Sequence, residues 1–500
     1  MKNLKILLFI LCSLLFVSAN AQIVNFNLKA TMLKNHGELR KGEDVTLTTF
    51  FHGHEPTVDG NYKEVFYLED AEGKRIEIKK GLKEVFKFHF NTIQDVWNAR
   101  VITDVLYNLK KKGLQKDLRN EMEEDALEYI SRVKDYGLEL DDPYLEEYIY
   151  GLICKIAPKQ LIDGRPYNLN LLIQQNPTVN ACAYPNGTIV INTGLLSLLH
   201  TEDELVAILA HEIAHFVLDH SIINVNKSVA REKRAAFWSS VAVGVTAVAE
   251  GVAAATTDYA VPGVATAGVA ALSTIISSKV LDRLGMEFNH EQEDEADVFA
   301  RYIVKYLGYD ENALSTALSR IGNQQMLEQD DVVYTDHYTH RALIDRILQN
   351  GTPYERVDKK FDQMMSFAVS SVATLKFGSR RFNQCLPFLE QNITNNVATV
   401  GDYMTKAHCL MLIDDSSEAD KEIAQCIEKA RLLDDNNLYI DKMEILYSLR
   451  LDKKEEAVNL LKAYLKNLEL TTAKSLDSFT VEELDWSKRM LIKLNGMMLN

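Results

Sequence analysis

The stretch 201-TEDELVAILAHEIAHFVLDH-220 decides the fold of this chain, because it combines a well-specified helix with a fixed pattern of ionisable groups. His211 and His215 are four residues apart and therefore lie on one face of a helix, where both imidazoles can bind one metal ion. Glu212 lies beside the first histidine and is the residue type that activates a water molecule next to such a metal. This HExxH pattern predicts a zinc site with hydrolytic chemistry.

The beginning of this helix is also marked in the sequence. Thr201 is followed three residues later by Glu204, just before an apolar run, and this pattern predicts a capping box. An HExxH arises by chance in a chain of this length at roughly the per cent level. However, two histidines and a glutamate are costly to bury in so apolar a helix unless they have a function.

A catalytic zinc usually has a third protein ligand, which must come from elsewhere in the chain. The candidates downstream are His220, His290, Glu291, Glu293, Asp294, Glu295 and Asp297. The helix predicted to begin near Asn289 has its apolar stripe at Ala296, Ala300, Ile303, Val304 and Leu307, and only Glu293 and Asp297 share that face. We therefore assign Glu293 to the metal, and we expect Asp297 to accept a hydrogen bond from a ligand histidine.

A strand hairpin is predicted immediately before the HExxH helix. Residues 178–184 and 188–192 have strand character, and Pro185-Asn186-Gly187 forms the turn between them. The edge of this hairpin could pair with an extended substrate through Asn180, Ala181, Cys182 and Ala183. An ordinary core hairpin explains the same pattern, so both interpretations stay open at this point.

HEIAH, the preceding NACAYPNGTIVINTGLL and the later EDEAD resemble the zinc metallopeptidase family of the type I CAAX prenyl proteases. That family includes membrane heat-shock proteases and a soluble periplasmic branch with tetratricopeptide tails, which this chain resembles most. The resemblance covers about residues 140–350. It implies one zinc ion per chain held by His211, His215 and Glu293, with Glu212 as the catalytic base and Asp297 supporting the ligands.

A second family segment lies further on, at 339-THRALIDRI-347. It is similar to the family's THPxxxxRI, with Arg341 in place of the usual proline. The resemblance implies that His340 could close over the zinc as a fourth, inhibitory ligand. It also implies that Arg346 assists near the active site. The Ser-Arg that often precedes the family's ExxAD glutamate is replaced here by Asn289-His290.

The N-terminus and the composition indicate export. A short basic start, an apolar run over residues 6–17 and the small residues Ala19-Asn20-Ala21 are typical of a secretory signal peptide covering residues 1–21. We therefore expect a periplasmic or envelope-associated protein. The net charge of −16 argues against nucleic acid as a partner. The cysteines are too few to form a disulfide framework, and none lies at metal-ligand spacing.

Two further regions, residues 22–90 and 351–500, are predicted on either side of the catalytic one. Residues 22–90 alternate apolar and polar positions between turn signals and indicate a small β-domain, in which His52 and His54 are read as surface histidines. Residues 91–350 are predicted to form the metallopeptidase domain. It includes an Ala/Gly/Val-rich helical insert at 235–280, which fits a buried or lid-like helical pair or a membrane-associated segment through 235–276.

Residues 351–500 are predicted to be helical and to resemble tetratricopeptide hairpins. The segment 422–432 recurs as 455–465, an offset of 33 residues that aligns Ala424 with Ala457 and Ala430 with Ala463. Such hairpins would offer a surface to a protein partner. A plain helical bundle with coincidental self-similarity is the alternative.

The sequence thus predicts a mainly helical α+β protein with a zincin-like metallopeptidase domain between a β-domain and a helical-repeat domain. The expected function is that of an exported zinc endopeptidase acting on envelope or misfolded proteins and peptides. The alternative is a latched, non-proteolytic chaperone or assembly factor that works through its helical repeats.

Overall fold

The computed structural model describes residues 22–109, 114–161, 167–228, 288, 290–327, 341–472 and 478–498. The predicted signal peptide, the insert at 235–280 and His340 lie outside these described residues.

An antiparallel sheet of five strands occupies the N-terminal region, in the spatial order β4-β3-β2-β1-β5. Its core face follows the alternation in the sequence: Leu28, Ala30 and Met32 are buried, while Lys29 between them is exposed. This confirms a small N-terminal β region. The strands are β1 (Gln22–Met32), β2 (Asp44–Pro56), β3 (Tyr62–Asp70), β4 (Arg75–Glu77) and β5 (Phe86–His89).

Helices follow the sheet, with a second, smaller sheet among them. Thr92 caps the first helix with a reciprocal capping box, and a π-helical turn at Val101–Val105 follows that helix. The elements in this part are α1 (Ile93–Arg100), α2 (Leu106–Leu109), α3 (Leu114–Asp135), α4 (Pro143–Ile156), β6 (Asn170–Gln174), β7 (Ala181–Ala183), β8 (Thr188–Asn192) and α5 (Thr193–Leu196).

The second sheet has the order β6-β8-β7, with β6 parallel and β7 antiparallel to β8. The predicted hairpin is present as β7 and β8. Gly187 in its turn has φ +85°, and a Cβ there would lie 2.4 Å from the carbonyl oxygen of Asn168, so the turn requires glycine. The parallel strand β6 is not part of the sequence prediction.

The HExxH helix lies at the centre of the catalytic region. The elements that follow the small sheet are α6 (Glu202–Val217), α7 (His220–Ser228), α8 (His290–Leu307), α9 (Ala313–Leu327) and α10 (Arg341–Gln349). Helix α6 packs against α4, α8, α9 and β7, and its residues from Glu204 to Val217 are all buried. Apart from Glu204, His211, Glu212 and His215 these residues are apolar, and a helix that is apolar on most of its circumference is expected to be buried.

The start of α6 differs in one detail from the predicted capping box. The Thr201 side chain accepts a hydrogen bond from the backbone N–H of Glu204, as expected. The Glu204 carboxylate, however, accepts from the backbone N–H of His200 and pairs with Arg320 at 2.9 Å. Burial raises the pKa of Glu204, and the Arg320 guanidinium opposes that rise. The Glu204–Arg320 ion pair therefore also connects the start of α6 to α9.

The remaining helices form the C-terminal region, where consecutive helices pack against one another. They are α11 (Lys359–Met364), α12 (Ser366–Gly378), α13 (Phe382–Thr394), α14 (Val400–Ile413), α15 (Ser417–Leu433), α16 (Leu438–Arg450), α17 (Lys454–Thr472) and α18 (Ser478–Met498). The helical character is confirmed, but the repeat register is not. Ala430 and Ala457 are buried, whereas Ala463 and Ala424, their counterparts at an offset of 33, are exposed.

One hydrophobic cluster connects the N-terminal sheet to the catalytic region. Leu28 and Phe50 of the sheet, Trp97 of α1 and Phe299 of α8 all belong to it. Trp97 stacks on Phe299 with ring centroids 4.8 Å apart, and its indole N–H donates to the carbonyl of Ile156 at 2.8 Å. The sheet therefore shares its core with the helices that carry the site.

Within the described ranges, no helix combines the length and the apolar character that crossing a bilayer would require.

Candidate metal centre

His211, His215 and Glu293 meet between α6 and α8. The two Nε2 atoms are 3.0 Å apart, and each lies 3.5 Å from a different oxygen of Glu293, Oε2 for His211 and Oε1 for His215. All three side chains are buried, and their ligand atoms lie within 4.8 Å of one another. The structure thus brings together the three residues that the sequence assigned to the metal.

The spacing of these atoms fits a small tetrahedral metal ion. Zinc binds imidazole nitrogen and carboxylate oxygen at about 2.0–2.2 Å, so two ligand atoms of a tetrahedron lie about 3.3 Å apart. The 3.0 Å between the two nitrogens, and the 3.5 Å from each nitrogen to its nearer Glu293 oxygen, have that magnitude. Two imidazoles and one carboxylate are also a donor set that catalytic zinc uses, with one position left for water or substrate.

A network of charges holds the ligands in place. Asp297, one turn after Glu293 on α8, approaches His211 Nδ1 to 2.9 Å. Arg346 of α10 makes a two-pronged pair with Asp297, at 2.7 and 2.8 Å, and a further ion pair with Glu293 at 2.6 Å. Asn350 donates to Asp297 at 2.9 Å. Arg346 therefore contacts the carboxylates that surround the metal position, which points to a positioning role.

The charge network shifts the pKa values of His211 and Asp297. Burial alone would lower the pKa of His211, but hydrogen bonds to Asp297 and Glu293 and the charges of both carboxylates raise it to about 9. Burial would likewise raise the pKa of Asp297, but the Arg346 guanidinium and then His211 hold it below its usual value. Because a metal ligand must be an unprotonated imidazole, a metal ion and a proton compete for His211.

Glu212 follows His211 directly on α6 and is completely buried. A carboxylate at this position can exchange protons with a water molecule held at the metal position. Its burial in α6 fixes the position of the carboxylate relative to His211 and His215.

The strand predicted to bind substrate lies at an edge of the small sheet. Among the described strands β7 pairs with β8 alone, and Ala181 and Ala183 are buried against the core that contains α6. Cys182 belongs to a separate cluster with residues of α3. Asn180, just before β7, is nine-tenths buried, and its side-chain oxygen has no hydrogen-bond partner among the described residues. A buried acceptor of this kind is suited to a substrate N–H group.

The site includes one contact that the sequence did not predict. His220 and Glu295 do not belong to the group of metal-ligand residues. Nevertheless, His220 Nδ1 lies 2.8 Å from His215 Nδ1, and His220 Nε2 lies 3.3 Å from Glu295. The helical pattern predicted that Glu295 points away from the site. It meets His220 because the start of α7 packs against the start of α8, where Gln292 donates to the backbone carbonyl of His220 at 3.2 Å. The contact depends on this tertiary packing, so the sequence held no local signal for it.

His340, which the resemblance implies as a fourth ligand, lies outside the described residues, so its role stays a prediction.

Comparison with known proteins agrees with this geometry. Residues 140–350 match the model of peptidase family M48, which confirms the resemblance carried by HEIAH and EDEAD over this part of the chain. The beta-barrel assembly-enhancing protease of Escherichia coli is 26% identical over 198 residues, which cover 39% of this chain and 36% of that protein. The putative beta-barrel assembly-enhancing protease of Vibrio cholerae is 23% identical over 198 residues, covering 39% and 37%.

A third relative, the metalloprotease LoiP of Escherichia coli, is 26% identical over 181 residues, which cover 35% of this chain and 59% of that protein. The chain thus spans little more than a third of the length of the two assembly-enhancing proteases that it matches. These similarities, together with the cluster of His211, His215 and Glu293, support a metal-dependent peptidase.

Proposed function

We propose that this protein is a zinc-dependent endopeptidase that is exported and acts on envelope or misfolded proteins. The observation that carries the proposal is the convergence of two buried histidines and a buried glutamate beside Glu212, on a helix with the HExxH pattern. His211, His215 and Glu293 would hold one zinc ion, which when bound supplies the Lewis acidity that polarises a carbonyl group and activates water.

Glu212 acts as the general base in this proposal. It takes a proton from the attacking water and passes it to the nitrogen of the leaving amine, so that the peptide bond breaks without releasing an unstable amide anion. Asp297 and Arg346 keep the ligands in place through the charge network, and Asp297 orients the His211 ring through its Nδ1.

The substrate would bind as an extended strand along β7. Its backbone would pair with the main chain of Ala181, Cys182 and Ala183, and one of its N–H groups would donate to Asn180. Backbone pairing is largely independent of side chains, so it suits an enzyme that acts on unfolded segments of many proteins.

Export and the envelope substrates rest on the predicted signal peptide and on the names of the relatives, two of which are described as beta-barrel assembly-enhancing proteases. We extend the resemblance to His340 as an inhibitory fourth ligand that would keep the enzyme latched until a substrate arrives.

A non-proteolytic chaperone or assembly factor is the second candidate, and one feature of the C-terminal region favours it. A groove of about 500 Å³ lies among α15, α16 and α17. Apolar side chains of Ile427, Tyr447 and Leu460 line it beside the acidic Glu428 and Glu456, while Glu444 in its wall pairs with Arg431. Such a groove could hold a protein segment with apolar and basic residues.

Casein cleavage by the wild type and a Glu212→Gln variant, with zinc content measured on both, separates the two functions. The endopeptidase proposal expects equal zinc content and a loss of cleavage of at least about 100-fold in the variant. A variant that cleaves casein as fast as the wild type would refute it. Zinc in both proteins with cleavage in neither would favour the chaperone.

A further inference from the structure

We propose that His220 is a positioning residue for the metal ligand His215, and that Glu295 holds His220 in the tautomer required for this role. The inference rests on the proposed metal site and adds a second support to it. In this arrangement a carboxylate acts on the metal ligand through an intervening imidazole.

The two hydrogen bonds that connect His215, His220 and Glu295 can form with only one arrangement of the ring protons. His215 presents Nε2 to the metal position, so its remaining proton lies on Nδ1, which is 2.8 Å from Nδ1 of His220. His215 therefore donates, and His220 accepts with an unprotonated Nδ1. The ring proton of His220 then lies on Nε2, where Glu295 accepts it at 3.3 Å.

The backbone is shaped to bring His220 back to His215. Only four residues separate them, and between α6 and α7 Asp219 adopts φ +60°, which interrupts the regular helix at that point. The left-handed region is unfavourable for most side chains, although aspartate tolerates it better than most. Arg119 of α3 holds the Asp219 carboxylate, with one guanidinium nitrogen 2.6 Å from each oxygen.

The hydrogen bond between His215 and His220 is shielded from water. His220 is 2% exposed and His215 is 1% exposed, so water does not compete for the bond between them. A buried imidazole without a partner would lose a hydrogen bond that nothing replaces. Phe288 stacks on the His215 ring with centroids 3.8 Å apart, so the ring is held both by its face and by its Nδ1.

The two ligand histidines are thus supported differently. His211 meets the Asp297 carboxylate directly, at 2.9 Å. His215 meets the imidazole of His220 first, and the carboxylate of Glu295 lies beyond that ring. Partners of metal-ligating histidines fix ring orientation and typically contribute 10–100-fold to metal affinity.

The experiment compares four variants of the full-length protein with the wild type. His220→Leu removes the acceptor, whereas His220→Asn places an amide oxygen close to the position of Nδ1. Glu295→Ala removes the carboxylate, and Glu291→Ala is its matched control, because Glu291 lies on the same helix but is exposed. Zinc dissociation constants come from chelator competition, the ligand field from the visible spectrum of the cobalt-loaded protein, and folding from melting of the metal-free protein.

We expect His220→Leu to bind zinc about 10–100-fold more weakly and to change the cobalt spectrum, while His220→Asn stays within about threefold of the wild type. Glu295→Ala should weaken zinc binding, and Glu291→Ala should not. Wild-type zinc affinity in His220→Leu, or an equal loss in His220→Leu and His220→Asn, would overturn the inference. A wild type that binds no zinc would refute the proposed metal site itself.

Discussion

Replacing Arg346 by methionine tests whether the charge network holds the site together. Arg346 is 4% exposed and is the guanidinium that pairs with both Glu293 and Asp297. Methionine keeps much of the side-chain volume but leaves two buried carboxylates without this cation. Removing one partner of a buried ion pair costs about 3–5 kcal/mol. In a region of roughly 200 residues each kcal/mol lowers Tm by about 2–4 °C, so the expected loss is on the order of 10 °C.

The assay is thermal unfolding of chelator-treated protein, followed by circular dichroism. Arg356→Met is the matched control, because Arg356 also pairs with an aspartate, Asp203, but its side chain is 49% exposed. An exposed pair contributes about 0–1 kcal/mol, so the control should lose no more than about 4 °C. Added zinc should recover part of the loss in Arg346→Met, since a divalent cation also offsets the two carboxylates. Equal Tm values for the two variants would refute this account of the network.

Two further predictions concern substrate binding and pH. Asn180→Ala should lower kcat/KM for casein by about 5–100-fold, because the substrate loses a hydrogen bond. Tm should not fall, because the Asn180 side-chain oxygen has no partner among the described residues. A loss of Tm that accompanies the loss of activity would indicate a structural role instead. Burial, and then the charge of Lys442, lower the pKa of His408 from 6.5 to about 4. The neutral ring therefore stabilises the fold above pH 6.5, and this stability is lost as the pH falls from 6.5 towards 4, by about 2 kcal/mol between pH 7 and pH 5. The free energy of unfolding from urea titrations should therefore fall more between pH 7 and pH 5 in the wild type than in His408→Leu. An identical pH dependence of that free energy in both proteins would contradict the prediction.

The parts of the site that lie within single helices could be read from the sequence. His211 and His215 follow from the i, i+4 rule, and the apolar stripe of α8 was enough to select Glu293 and Asp297 from seven candidates. Both selected side chains are buried, while Glu291 and Asp294 are exposed. Helical periodicity fixes which face a residue occupies, and burial of that face follows from its apolar neighbours.

The parts that depend on contacts between distant elements could not be read in this way. Only the family resemblance indicates Arg346, since nothing near it in sequence points to two carboxylates of α8. The contact of His220 with His215 requires the left-handed turn at Asp219. Strand β6 pairs in parallel with β8, and parallel pairing leaves no hairpin signal in the sequence.

The most direct test of the central claim is the zinc content of the purified wild type and of a Glu293→Gln variant. We expect about one zinc ion per wild-type chain. The variant should bind zinc much more weakly, because glutamine keeps the side-chain shape of the glutamate ligand but loses its charge. Absence of zinc from the wild type, or full zinc occupancy of Glu293→Gln with unchanged affinity, would contradict the assignment of His211, His215 and Glu293 as the metal ligands.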